Sequence, residues 1–446
     1  MGLAAGDKVL VRNVRTEDVE RTLASLKPFF RRSAWLGSSN RYLTKTVDRL
    51  RSDNANLGGT KSRHLAQYIA ASAVLHCNDA WSYMGRSLHA TLNGDPHRAL
   101  HLAYYAELRA AMSLLAASGV GIFLNKHYVI TGALASAKLS TGDRTHVLAW
   151  DALAYWGRQR ASGDLFSELI KPGGISVADW LFPVGGRAAV GAQASAWFLQ
   201  WGQDLKWGAK DRNLRNESSY RPDGLPKAWA TDPADCLSYV QDFWSAFEPA
   251  SGAQFSSLDR QILRLVVENT YRASSDSDPI GPGFEEHVDR IIAGQGLPES
   301  AATRWKEFLT RRLEPADSRL LSKASVRPNS QTPDELGVTS RAALLLRLST
   351  GAVADLMTAA GISSLDTGFW WQSVGVARGF WSSGAVPDPL TDMWADVRDA
   401  LDELEAFQAR YVADQQTAFR VQTELAPSLP LLSSAERIGL WSLYPA

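Results

Sequence analysis

Cysteine is scarce in this chain: 446 residues hold two, Cys77 and Cys236, far apart and without metal-type spacing. That argues against both a disulfide scaffold and a Cys zinc site. An excess of charge of one sign is also missing, because 47 Lys and Arg balance 47 Asp and Glu. No global basic field draws in nucleic acid, so any polyanion binding must come from a local cluster. No apolar run approaches membrane-span length, and "MGLAAGDKVLVRNVRTEDVE" has no apolar core of signal-peptide size. Gly2 makes no convincing myristoylation signal, since Gly6 stands where Ser or Thr is usual. The expectation is a cytoplasmic protein without membrane attachment. Walker-type loops, Rossmann fingerprints and GxSxG elbows are missing too, so no nucleotide or other cofactor is expected. "GVGIF" follows a helical pattern instead of opening one, and its glycines read as a helix stop.

What is present is helical periodicity and tryptophan. Apolar residues make up 45% of the chain and charged ones 21%, ordinary for a globular protein, and the length suits two or three domains. The 16 Trp fit helical cores filled by large rings. "GFWWQSVGVARGFW", Gly368 to Trp381, is the one place where an exposed partner surface competes with that reading. Alternating runs are few, and "KVLVRNV" is the best strand candidate. "KSRHLAQYIAASAVLHCNDAWSYMGRSLHATL" reads as a long helix. "NGDP" is a turn in which Asp95 caps a second helix with Pro96 at its first position, ended by Gly119 and Gly121. Another helix is expected around "THVLAWDALAYWGRQRA", after a loop containing "NKHYVI". The fold class is all-α. The expected divisions are a helical extension at 1–61, a bundle at 62–222, a helical middle segment at 223–330 and a C-terminal helical unit at 331–446.

Chemistry concentrates in "DRNLRNESSYRP", residues 211–222, downstream of the Trp-rich "ASAWFLQWGQDLKWGAK". At 100° per residue, the stripe of Ala194, Trp197, Phe198, Trp201 and Leu205 continues into Arg212, Arg215, Asn216 and Ser219, with Tyr220 at its margin. The inward face thus turns from aromatic to cationic, and an Arg there needs a partner. Glu107 supplies a candidate, since it sits within the apolar stripe of Leu100, Ala103, Tyr104, Leu108 and Ala111. Arg212 or Arg215 is the expected counter-ion. Two outcomes stay open: a structural ion pair between helices, or a polar pocket whose second Arg takes a phosphate.

The "AYYAELRAAMSLLAASGVG" helix, the helix and "NGDP" turn before it, and "LRNESSYRP" at the end of a later helix together resemble the HEPN superfamily. The resemblance covers roughly residues 62–222. It implies an antiparallel helical bundle, often dimeric, and in many members metal-independent RNA cleavage within toxin or antiphage systems. The family motif is an Arg, commonly followed by a polar residue, with a His a few positions on. Arg215 and Asn216 match it, whereas Tyr220 stands where the His would be. The implied catalytic set is Arg215, Asn216, Tyr220 and Arg212, in a pocket with Glu107, His101, Ser219 and Arg221. His101 or His127 are candidates to replace the missing base, because seven of the eight His lie between residues 64 and 146. His97 and His101, one turn apart, have no nearby carboxylates that would make them a metal pair. Two functions follow as expectations: a ribonuclease or toxin-type effector acting on RNA, or a non-catalytic HEPN-like subunit of a larger bacterial defence complex. A homo-oligomer or protein partners are expected in either case.

Overall fold

The computed structural model describes residues 2–53, 57–186, 210–216, 219, 232–249, 255–326 and 334–444. The chain is mostly helical, and it divides into two compact units. Unit 1 comprises Met1–Trp156, Lys206–Leu237 and Arg327–Ala446, and unit 2 comprises Gly157–Leu205 and Ser238–Val326.

Three long helices form the centre of unit 1: Thr60–Leu92, Pro96–Ala117 and Glu335–Ala359. On the first, Leu65, Ile69, Ala73, Trp81, Met84 and Leu88 recur at helical spacing and are all fully buried. Burying a large apolar side chain stabilises the fold by roughly 1.5–3 kcal/mol, so this stripe supplies much of the driving force. The turn into the second helix forms as its residues dictate. Gly94 takes positive φ, the Asp95 side chain accepts from the Arg98 N–H at 3.0 Å, and Pro96 opens the helix. Its far end is set by Gly119 at φ 76°, where a Cβ would lie 2.6 Å from Val14. Small polar residues tie the three helices together: Ser113 Oγ donates to Ala73 O at 2.7 Å, Ser87 Oγ to Ala99 O at 2.8 Å, and Trp81 Nε1 to Thr350 Oγ1 at 3.0 Å.

The C-terminal helices do not form a unit of their own. Glu335–Ala359 is buried on nearly every side, and a helix apolar all round has to sit inside a core, here that of unit 1. By length and composition it could cross a membrane, but 72% of its apolar window lies buried in the fold. Another C-terminal helix, Glu436–Leu443, approaches the first long helix through two glycines. A Cβ on Gly85 would meet Ser433 O at 2.6 Å, and one on Gly439 would meet Trp81 at 2.7 Å.

The expected strand at "KVLVRNV" is a helix, Ala5–Arg12. Asp7 and Val11, one turn apart, are its buried residues, and the Asp7 carboxylate accepts from the N–H groups of Ser140 and Thr141 at 2.7 and 3.1 Å. Helical spacing places those two anchors on one face, about 6 Å apart along the axis. The small sheet arises instead in the expected loop. Strands β1 Val120–Gly121, β2 Tyr128–Gly132 and β3 Ala135–Lys138 pair antiparallel in that order, with Val129 opposite both Val120 and Ala137. In the Trp-rich C-terminal stretch, Trp371 and Trp381 are buried and Trp371 stacks on Tyr444 at 6.2 Å, whereas Trp370 is half-buried and Gln372, Ser373 and residues 376–379 are exposed.

Unit 2 is built on helices Ser256–Ser275, Gly281–Ala293 and Glu299–Leu309. Arg264, fully buried, donates to Glu314 O, Ala316 O and Asp317 Oδ1 at 2.6, 2.9 and 3.0 Å. It thereby pins the 314–317 loop to its own helix. These contacts are structural.

Candidate functional site

Residues 210–216 are helical, and so is Ser219. Asp211 and Leu214 are buried; Arg212, Arg215 and Asn216 are half-buried; Asn213 and Ser219 are exposed. Positions 211, 215 and 219 advance by four residues, and each meets a different group of unit 1.

Asp211 receives Arg341 in a bidentate pair, Nε to Oδ2 and Nη2 to Oδ1, both at 3.0 Å. Asp211 is wholly buried and Arg341 only 5% exposed, so the pair lies out of water. Asp334 joins it, with Oδ2 3.4 Å from Arg341 Nη2. The same carboxylate caps the third long helix by accepting from the Gly337 N–H at 3.1 Å. A Cβ at 337 would collide with it, which is the reason for glycine. Glu107, 4% exposed, faces this group from the second helix, and its charge raises the Arg341 pKa together with those of Asp211 and Asp334. Burial first, and the neighbouring Asp334 charge, push Asp211 up to about 6 against the pull of Arg341.

One turn on, the Arg215 guanidinium lies over the rings of Tyr104 and Tyr105, 5.4 and 5.7 Å from their centroids. Ser219 Oγ donates to Arg215 O at 2.9 Å and lies 3.1 Å from His101 Nδ1. A serine hydroxyl has one proton, and with that proton on the carbonyl, Nδ1 must carry the hydrogen. The His101 lone pair is then on Nε2. Burial, and next the Arg215 charge, hold the His101 pKa below the usual imidazole value. His146 bonds the Tyr104 hydroxyl through Nδ1 at 3.0 Å and stacks on that ring. Its pKa is lowered by burial and by Arg215, Arg212 and Arg109. The arrangement therefore sets two neutral imidazoles beside a permanent cation.

Among the sequence-derived candidates, Arg215, Ser219 and His101 are brought together, with Tyr104 beneath them. Arg212 and Asn216 flank them on the same helical stretch, 210–216. Glu107 is buried as its stripe position required, and its charge is among those that raise the Arg341 pKa. His127 belongs elsewhere: fully buried, it accepts from the Phe123 N–H at 3.2 Å and bonds Asp143 O at 2.8 Å, bracing the loop before β2. His97 and His101 belong to no group of three or more His, Cys, Asp or Glu that could hold a metal among the described residues. Tyr220, Arg221 and the Trp-rich stripe from Ala194 to Leu205 lie outside the described residues.

Sequence reasoning missed Arg341, Asp211, Asp334 and His146. Two of them left a signal: Arg341 interrupts the apolar run "SRAALLLRL", and Asp211 stands one turn before Arg215. Compared with protein-family models, curated proteins and solved structures, the chain matches none.

Proposed function

We propose that the Arg215 site is a metal-independent ribonuclease centre of HEPN-like type, in a cytoplasmic effector of a bacterial antiphage or stress system. The observation that carries this is the pairing of Arg215 with a neutral His101, bridged by Ser219 on a single turn of helix. Cleavage by 2′-hydroxyl attack needs a base for the hydroxyl proton and a cation for the charge that grows on the phosphoryl oxygens. His101 Nε2 is available as the base in place of the missing motif His. Arg215 presents a planar fork that matches two phosphate oxygens, and Arg212 adds charge from the same helix. The 2′-oxygen bonds to phosphorus, the 5′-oxygen leaves and takes a proton from water, and the products are a cyclic phosphate and a 5′-hydroxyl end.

The second reading, a non-catalytic HEPN-like subunit of a defence complex, is favoured by the sequence "ESSYRP" after Asn216, which holds no His. Purified protein incubated with total RNA and with tRNA, with and without EDTA and at several protein concentrations, separates the two. The ribonuclease reading expects cleavage that EDTA does not affect, is abolished by Arg215→Ala, is severely impaired by Arg215→Lys and falls at least tenfold in His101→Gln. Cleavage that survives Arg215→Ala would locate the activity elsewhere. Inactivity in every condition, with co-purifying partners, would favour the subunit reading.

A further inference from the structure

Among the described residues of the helical stretch that carries Arg215, few are buried. Among the described positions 210–216, only Asp211 and Leu214 are buried. Leu214 gives an apolar contact, which resists withdrawal but only weakly specifies rotation about the helix axis. Asp211 is different. Its two carboxylate oxygens are each met by a separate nitrogen of Arg341 at 3.0 Å, so both its position and its orientation are fixed. Arg341 in turn projects from a helix buried along almost its whole length, with Asp334 and the Glu107 charge holding its guanidinium. Arg215 follows Asp211 by four residues, which on an α-helix means a 40° offset and about 6 Å of rise. Fixing Asp211 therefore fixes the direction in which Arg215 leaves the backbone.

We infer that Asp211, clamped by Arg341, is the positioning residue for Arg215: the buried fork sets the rotation of the 210–216 helix that lays Arg215 across Tyr104 and Tyr105 beside His101. Asp211 touches no substrate and works only through Arg215. The catalytic consequence rests on the ribonuclease reading of Arg215, but the structural one does not.

Three measurements on the full chain test the inference. In hydrogen exchange, Asp211→Ala should lose at least tenfold protection across residues 210–216 while the three long helices keep theirs. Asp211→Asn retains an acceptor for Arg341 and should keep much of the protection; it also serves if the alanine variant does not fold. In RNA cleavage, Asp211→Ala should lower kcat at least tenfold; in NMR titration it should raise the His101 pKa, yet add nothing when Arg215 is already Gln, because a residue acting through Arg215 has no further effect once that cation is gone. Unchanged exchange at 210–216 would overturn the inference, and so would protection lost evenly from every helix of unit 1. An Asp211→Ala effect on the His101 pKa that persists in full in the Arg215→Gln background would overturn it as well. If the wild-type protein cleaves no RNA, the ribonuclease reading falls and the exchange measurement still decides the positioning role.

Discussion

Removing Arg341 should cost more stability than removing the charge of Asp211, although the two form one ion pair. Breaking a buried pair by deleting one partner typically costs about 3–5 kcal/mol, because the other charge is left without compensation. The two deletions here are unequal. Arg341→Met strands Asp211, wholly buried, takes a cation from the field of Glu107, 4% exposed, and removes the guanidinium 3.4 Å from Asp334. Asp211→Asn leaves Arg341 with Asp334 and the Glu107 charge, and the amide oxygen still accepts one bond. The first change should therefore lie near about 5 kcal/mol and the second near about 1–3 kcal/mol. Acidity provides a second check. In Arg341→Met the folded state holds its carboxyls above their unfolded pKa, so it binds more protons than the unfolded chain across that interval. Its stability then falls as pH rises, and the deficit against wild type should be larger at pH 7.5 than at pH 5.5. The wild-type Asp211, already at about 6, shows the direction. Calorimetric unfolding of wild type and both variants at the two pH values measures this. Equal losses, a larger loss for Asp211→Asn, or an Arg341→Met deficit that fails to shrink in acid would refute the account of a shared guanidinium.

If His101 is the base, its depressed pKa means the neutral form prevails at pH 7. Cleavage should be flat there and fall in acid with a midpoint below 6.5, and in NMR titration the His101 pKa should rise when Arg215→Gln removes the cation. Gly85→Ala gains about 1 kcal/mol of helix propensity but sets a methyl 2.6 Å from Ser433 O, so the melting temperature should fall; a rise would show that the helices separate freely. Asp95→Ala removes the N-cap of the Pro96–Ala117 helix and should cost about 1 kcal/mol in chemical denaturation.

Local signals were read well from the sequence. The Asp95–Pro96 helix start, the Gly119 stop and the long helix over "KSRHLAQYIAASAVLHCNDAWSYMGRSLHATL" are decided by residues close in sequence, and the structure reproduces them. "KVLVRNV" failed because a short run of Val and Leu fits both periods, and the tie was broken by Asp7 bonding the distant 140–141 loop. The site was half legible for the same reason. Arg215 and Ser219 follow from helical phase, and burial of Glu107 follows from its stripe. The partner of Asp211 comes from position 341, and one sequence carries no measure of which helices become neighbours. Arg341 within "SRAALLLRL" is an Arg on an otherwise apolar helix, and nothing near it in sequence names its partner. Its placement also explains why the 331–446 segment was set apart as a separate unit: nothing local in it betrays that its first helix completes a core begun at residue 60.

That discontinuity has a consequence during synthesis. The Thr60–Leu92 and Pro96–Ala117 helices leave the ribosome long before Glu335–Ala359, with the bulk of unit 2 made in between. At usual elongation rates the wait is on the order of tens of seconds. His101 and Glu107 are present from its start and Arg215 from about its middle, all before the guanidinium that clamps Asp211 has been made. The site is thus the property of a finished chain, and a fragment ending before residue 335 would hold nearly all of its chemistry without the Arg341 clamp on Asp211.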